Sequence, residues 1–302
     1  MYGRREVLRT GAALALLAAS PWLRASPSTA LLTRTVPGTG EALPVIGAGT
    51  SGSFEVEAGS ATYERLAETL KIFFEGGGSI IDTSPNYNGA DAILGQLLEA
   101  GGWRSKCFLA TKIAADSREA AERQWARSLR DLRTDRVDLL QVHNLREWRT
   151  QLAYARELKA QGKTRHVGIT HYLASGHAEM IDILHKEPLD FIQINYAVNA
   201  SQAAKELMPL AQEKGVAVLI NRAFDDGRLF TQVKDRPLPP WAAEVGVTSW
   251  AQLFLKFALS HPAVTAVIPA TGRPDRQRDQ LEAGHGRLLS AEQQRTLIAQ
   301  FA

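Results

Sequence analysis

Beyond residue 40 the chain alternates short apolar runs with longer stretches of mixed polarity. The runs are "LPVIGAG" (43–49), "SIID" (79–82), "CFLATK" (107–112), "VDLLQVH" (137–143), "HVGIT" (166–170), "FIQINY" (191–196), "VAVLIN" (216–221) and "VTAVIPA" (264–270). Rich in Val, Ile and Leu without regular polar alternation, they predict parallel strands covered on both faces. The stretches between them are helical in pattern. "ATYERLAETLKIFFEGGG" sets Leu66, Leu70 and Phe73 on one face and stops at glycines. "SREAAERQWARSLRDL" opens on Ser117 as an N-cap and continues in strong helix formers. "REWRTQLAYARELKAQGK" and "SQAAKELMPLAQEKG" end on Gly162 and Gly215, at C-cap positions.

Eight such alternations in about 250 residues predict the α/β class and a (β/α)8 TIM barrel, with a last helix near 291–301 packed outside it. An open doubly wound sheet would need a GxGxxG turn after its first strand; "GAGTSG" is too short for one. No internal repeat or Pro-rich linker divides the core.

Charge changes the picture only at the N-terminus. The 302 residues carry a formal net charge of +3. Arg4, Arg5, Arg9 and Arg24 against Glu6 account for all of it, leaving 31 basic and 31 acidic side chains elsewhere. Nothing in that balance points to nucleic acid or an anionic membrane. The leader "MYGRREVLRTGAALALLAAS" joins a basic region to an apolar stretch shorter than the roughly 20 residues a spanning helix needs. Its "GRREVLR" resembles the twin-arginine signal that exports folded proteins. Residues 1–30 are therefore expected to be an export signal, with Ala25 and Ala30 as rival cleavage positions, and 31–302 the barrel. The expected location is outside the cytoplasm, in the periplasm, with the twin-arginine machinery as a partner and no membrane span in the mature chain. Cys107, the single cysteine, lies in an apolar run and reads as a small buried thiol.

In a (β/α)8 barrel, functional groups gather at the C-terminal ends of the strands. Asp82 ends the second run with Tyr87 just beyond it, Lys112 ends the third and His143 the fourth. Singly, each has an ordinary reading as a turn former, a solvated lysine or a structural histidine. Their conjunction on consecutive strands predicts a common site.

These residues, with "GAGT", "IDTSPNY", "LATK", "LLQVHN", "GKTRHVGIT", "FIQINY" and "IPATGRPDRQRDQLEA", resemble the aldo-keto reductase family in order over roughly residues 32–285. The resemblance implies an NADP(H)-dependent reductase of small aldehydes or ketones. Hydride delivery to a carbonyl builds negative charge on its oxygen, and Tyr87 would supply the proton. An ordinary phenol, with a pKa near 10, is slow in that role. Lys112 is expected to lower it, Asp82 to hold Lys112 charged and aimed, and His143 to orient the carbonyl.

Carried over in the same way, Thr170 and Gln193 would hold the nicotinamide carboxamide, and Thr50 would lie near the pyrophosphate. Thr271 and Arg276 would meet the 2′-phosphate, and Asp279 and Gln280 the adenine. Three positions depart from the family pattern: His171 stands where an Asn is usual, Arg222 where a Tyr stacks on the nicotinamide, and Ala270 where a basic residue is common. Phe54, Asn144 and the loop from Asp225 to Trp241 are candidates for the substrate pocket.

Two other classes compete. A non-catalytic dinucleotide-binding or regulatory barrel is compatible with the altered nicotinamide positions. A metal-dependent hydrolase using His143, His171 and Asp82 lacks any HxH or HExxH spacing, so no metal is expected.

Overall fold

Ser60, Ser117 and Ser249 each accept a hydrogen bond from a backbone N–H three residues on, at Tyr63, Ala120 and Gln252. Caps of this kind are worth about 1 kcal/mol apiece and fix where a helix begins. The computed structural model describes residues 30–301. The expected export signal therefore lies, but for Ala30, outside the described residues.

The chain enters through an antiparallel hairpin of β1 (Thr33–Thr35) and β2 (Ala42–Pro44). Then come β3 (Ala48–Gly49), α1 (Ala61–Glu75), β4 (Ile80–Asp82), α2 (Ala90–Ala100), β5 (Phe108–Ile113) and α3 (Arg118–Asp131). They are followed by β6 (Val137–His143), α4 (Trp148–Ala160), β7 (Thr164–His171), α5 (His177–Lys186), β8 (Phe191–Asn195) and α6 (Leu207–Glu213). After β9 (Ala217–Asn221) come α7 (Arg228–Gln232) and α8 (Trp250–Leu259); after β10 (Val264–Val267) come α9 (Pro274–Glu282) and α10 (Ala291–Phe301). Strands β3 to β10 pair in parallel in sequence order. Single parallel bridges from Ile46 to Val267 and from Gly49 to Ala270 bring the two edges together, closing the (β/α)8 barrel.

Both faces of each strand are used, which is why the runs read as continuously apolar. Outward residues such as Ile81, Leu109, Leu140, Ile169 and Ile192 are buried under the helices. Inward residues follow the period of two and change character along the strand. Ile80 gives way to Asp82, Phe108 and Ala110 to Lys112, Leu139 to Gln141 and His143, and Phe191 to Gln193. The floor of the barrel is therefore apolar but for His166, which packs on Phe108 and Phe191, and its upper layer is polar. Val36 and Leu43, from the entry hairpin, plug the floor against Ile80, Phe108, Leu139 and Phe191.

Arg34 of β1 fastens the hairpin to the sheet. Its guanidinium donates to the carbonyls of Leu259 at 2.6 Å, His261 at 2.9 Å and Val264, tying it to the last carbonyl of α8 and to the turn into β10. Burial pushes the Cys107 thiol up to about 12, so it stays an inert apolar filler. Among the described residues no helix is long and apolar enough to cross a membrane.

Two expected elements change. Of the run 43–49 only Ala48–Gly49 forms a regular strand of the barrel sheet, with Ile46 joined by a single bridge, because residues 42–44 pair instead with β1. The helix expected from 201 begins only at Leu207, after a 3-10 turn at Gln202–Ala204. Pro209 has no N–H to donate and so belongs in a first turn, which sets that start.

Candidate active site

The polar upper layer is built around a buried ion pair. Lys112 Nζ donates to Asp82 Oδ2 at 2.6 Å and to the Thr83 carbonyl at 2.7 Å. The amides of Gln141 and Gln193 donate to Asp82 Oδ1 at 3.1 and 2.8 Å. The two charged side chains are 1% and 4% exposed. Desolvating two charges is costly unless geometry and further hydrogen bonds compensate, and here three side chains converge on one carboxylate. Burial alone would lower the Lys112 pKa, but Asp82, with Tyr87 and Asp91, outweighs it, and the ammonium is held above its ordinary value.

A second chain of bonds fixes the neighbouring backbone. Thr50 donates to Thr83 at 2.9 Å, and Thr83 donates to Asp91 at 2.6 Å. Ser128 donates to the other Asp91 oxygen at 3.2 Å. Thr83 thus holds Lys112 with its carbonyl while Asp91, from the first turn of α2, holds Thr83.

Tyr87 sits in the tight turn between β4 and α2, where Asn88 and Gly89 take left-handed backbone angles. Lys112 Nζ is 5.4 Å from the centroid of its ring. Burial raises the Tyr87 pKa; the charge on Lys112 opposes that and Asp82 adds to it, and the net direction is upward. The sequence led us to expect a lowered value. The sign of the Lys112 contribution is as expected, but desolvation is the larger influence. His143, across from Tyr87 with ring centroids 6.1 Å apart and planes at 86°, is pulled down to about 3 by burial and then by Lys112 and His171. Its imidazole is neutral near pH 7.

Above this layer opens a cavity of about 1190 Å³. Of the residues singled out from the sequence, Thr50, Asp82, Tyr87, His143, Asn144, Thr170, Gln193, Arg222, Arg276, Asp279 and Gln280 border it. Lys112 lies behind Tyr87 and Asp82, sealed from the cavity. Phe54, 1% exposed, belongs to the core under α1 instead of the cavity wall. His171 is not on the wall either: its ring folds back over Gly176, where a Cβ would come within 2.3 Å of it. Thr271 is buried at the entry to α9, accepting from the Arg273 N–H at 3.2 Å.

Several wall residues arrive already engaged. Arg222 stands over the Tyr172 ring at 5.2 Å and pairs with Asp226. Both Asp279 oxygens are taken, by Ser249 at 2.8 Å and Gln252 at 2.7 Å. Arg276, by contrast, has no hydrogen bond or ion pair from its side chain among the described residues. Sequence reasoning did not find Ser84, which touches His143, or Gln141, which touches Asp82. It also missed Tyr172, Phe224 and Trp250, which with Phe230 of the expected 225–241 loop give the wall its aromatic side. An inward position two residues before His143 was a signal for Gln141; Tyr172 and Phe224 sit in loops that follow no period, and Trp250 only opens α8.

Three buried acceptors on this wall have no partner among the described residues: Asn144 Oδ1, Asn221 Oδ1 and Gln280 Oε1. A nicotinamide dinucleotide carries matching amide and amino N–H donors at its two ends, and the cavity offers Arg222, Lys234 and Arg276 for its phosphates. The donor set fits such a group. Among the described residues no cluster of three or more His, Cys, Asp or Glu is placed to hold a metal ion.

Residues 45–299 match the model of the Aldo/keto reductase family. Aldo-keto reductase YhdN of Bacillus subtilis (strain 168) is 27% identical over 182 residues, 54% of this chain and 53% of that one. The NADH-specific methylglyoxal reductase of Escherichia coli (strain K12) is 26% identical over 182 residues, 50% of this chain and 54% of that one. The matches thus span about half the length of these relatives. An aldo/keto reductase from Klebsiella pneumoniae, crystallised with NADP and acetate, superposes with a TM-score of 0.75 at 24% identity, over 89% of this chain and 96% of that one.

Proposed function

This chain belongs to the aldo/keto reductase family, and from that premise we propose that it reduces small aldehydes or ketones with NADP(H), using Tyr87 as general acid. The observation that carries the reading is the Asp82–Lys112 pair, buried beneath Tyr87 and His143 at the foot of a dinucleotide-sized cavity. The relative crystallised with NADP supports the choice of coenzyme, and the NADH-specific relative makes the preference between NADPH and NADH a matter for measurement.

A reduced nicotinamide bound in the cavity supplies the hydride. Asn144, Thr170, Gln193 and Asn221 would hold its carboxamide end, and Arg276 and Gln280 its adenosine end. The remaining tasks belong to the protein. The Tyr87 hydroxyl gives its proton to the carbonyl oxygen, and the phenolate left behind is stabilised by the Lys112 ammonium. Asp82 keeps that ammonium charged, and neutral His143 orients the carbonyl by a hydrogen bond. Phe224, Phe230 and Trp250 on the wall favour substrates with an apolar or aromatic portion.

The test is absorbance and fluorescence of the purified protein in the reduced-nicotinamide band, followed by a panel of aldehydes and quinones. Consumption of the coenzyme by a carbonyl is the expected result. Coenzyme bound but untouched by every carbonyl favours the regulatory-barrel reading, which Arg222 engaged by Tyr172 and Asp226 makes specific.

From the leader we propose export by the twin-arginine machinery and a periplasmic location, with the coenzyme retained tightly during passage. Fractionation of cells carrying Arg4→Lys/Arg5→Lys tests it: export is expected to stop, and an unchanged distribution would remove the proposal.

A further inference from the structure

Ser84 lies two residues beyond Asp82 on the line of β4 and is 1% exposed. Its Oγ is 3.1 Å from His143 Nδ1 and 3.3 Å from the backbone nitrogen of Asn86. A backbone N–H only donates, so it occupies a lone pair of Oγ and leaves the hydroxyl proton of Ser84 to be placed. Nδ1 of His143 is the acceptor in reach of it among the described residues. A neutral imidazole has one N–H and one bare nitrogen, so accepting at Nδ1 puts the ring proton on Nε2. The other tautomer would aim two N–H groups at Oγ and leave the hydroxyl proton unpaired in a buried place. Nε2 itself has no partner among the described residues, on a ring that borders the cavity.

We propose that Ser84 is a positioning residue: its hydroxyl fixes His143 as the Nε2–H tautomer, so that the ring donates to the substrate's carbonyl oxygen. With Nε2 bare, a lone pair would face the oxygen on which negative charge develops, and orientation would turn into repulsion. Burial keeps the ring uncharged, as its pKa of about 3 records, so the tautomer decides what His143 offers. The role toward a carbonyl rests on the reductase reading; the tautomer does not.

The experiment is ring 15N–1H correlation spectroscopy on the full chain labelled at histidine, near neutral pH, for wild type, Ser84→Ala and Ser84→Thr. His143→Asn assigns the signal. The wild type is expected to show a protonated Nε2 and a bare Nδ1. In Ser84→Ala the two nitrogen shifts should move toward each other as the second tautomer fills, and Ser84→Thr should restore them. In parallel, kcat should fall roughly tenfold in Ser84→Ala with coenzyme affinity unchanged, and recover in Ser84→Thr. A proton on Nδ1 in the wild type, or ring shifts indifferent to Ser84→Ala, overturns the proposal. A wild type that reduces no carbonyl yet shows the tautomer shift overturns the reductase reading and leaves the Ser84–His143 assignment standing.

Discussion

Lys112 faces Tyr87 across 5.4 Å, from Nζ to ring centroid, while its hydrogen bonds go to Asp82 and Thr83. Its influence on the phenol is that of a fixed positive charge in a poorly solvated place, where Coulomb attraction is weakly screened. Burial meanwhile keeps the hydroxyl protonated. The two effects suit a group that must hold a proton until negative charge appears nearby and then release it.

Replacing Tyr87 by Phe removes that proton and little else. Turnover is expected to drop by roughly 10²–10⁴-fold, the usual reach of general acid catalysis. Coenzyme affinity, read by fluorescence titration, should stay within a factor of about two, because the ring remains. A fully active Tyr87→Phe protein would end the assignment.

Lys112→Met leaves the Asp82 carboxylate buried with only two amide donors. Breaking a buried pair in this way costs about 3–5 kcal/mol, visible as a lowered Tm. Adding Asp82→Asn should recover most of that stability, since no uncompensated charge remains, and should recover none of the activity. Activity returning together with stability in the double variant would mean that the pair is only structural.

The pH dependence of stability follows from His143, whose folded pKa is about 3 against 6.5 for the free side chain. Below pH 6.5 the unfolded chain takes up a proton that the folded one refuses, so stability is lost as pH falls toward 3, by an amount of the order of a few kcal/mol. Burial lowers His166, His177 and His261 too, and they act in the same direction. Denaturant unfolding at a series of pH values should show a shallower acid slope in His143→Gln than in the wild type. Equal slopes would contradict the burial of the ring.

Arg276 borders the cavity with its guanidinium uncommitted among the described residues. If it meets the extra phosphate of NADPH, Arg276→Ala should weaken NADPH binding by tenfold or more, about 1.5–3 kcal/mol for a bond to a charged group. Binding of NADH, which lacks that phosphate, should barely change. Equal losses for the two coenzymes would point to the pyrophosphate.

The barrel was legible because each of its strands is covered on two sides, so burial leaves a continuous apolar trace. Asp82, Lys112 and His143 were legible for a related reason: each is a polar residue closing an apolar run. What escaped is governed by other forces. Ala42–Pro44 turned to the hairpin because pairing with Thr33–Thr35 competes with the barrel, and no alternation marks that choice. Phe54 looked like a pocket residue by its place in a loop, yet it is drawn into the core. His171 is the last residue of β7, whose inward line ends at Thr170, so the period of two turns it off the mouth. Ser84 could not be ranked from the sequence, because its importance depends on His143, 59 residues away.

The hairpin of β1 and β2 gives the barrel a sense of direction. Polypeptide arrives at the floor, where Ala30 accepts from His285 and Val36 and Leu43 seal the interior; the cavity opens at the opposite rim. A surface, bead or fusion partner joined ahead of residue 30 would therefore hold the molecule by its base with the mouth pointing away, and neither the path of a substrate nor the shape of the rim would be disturbed.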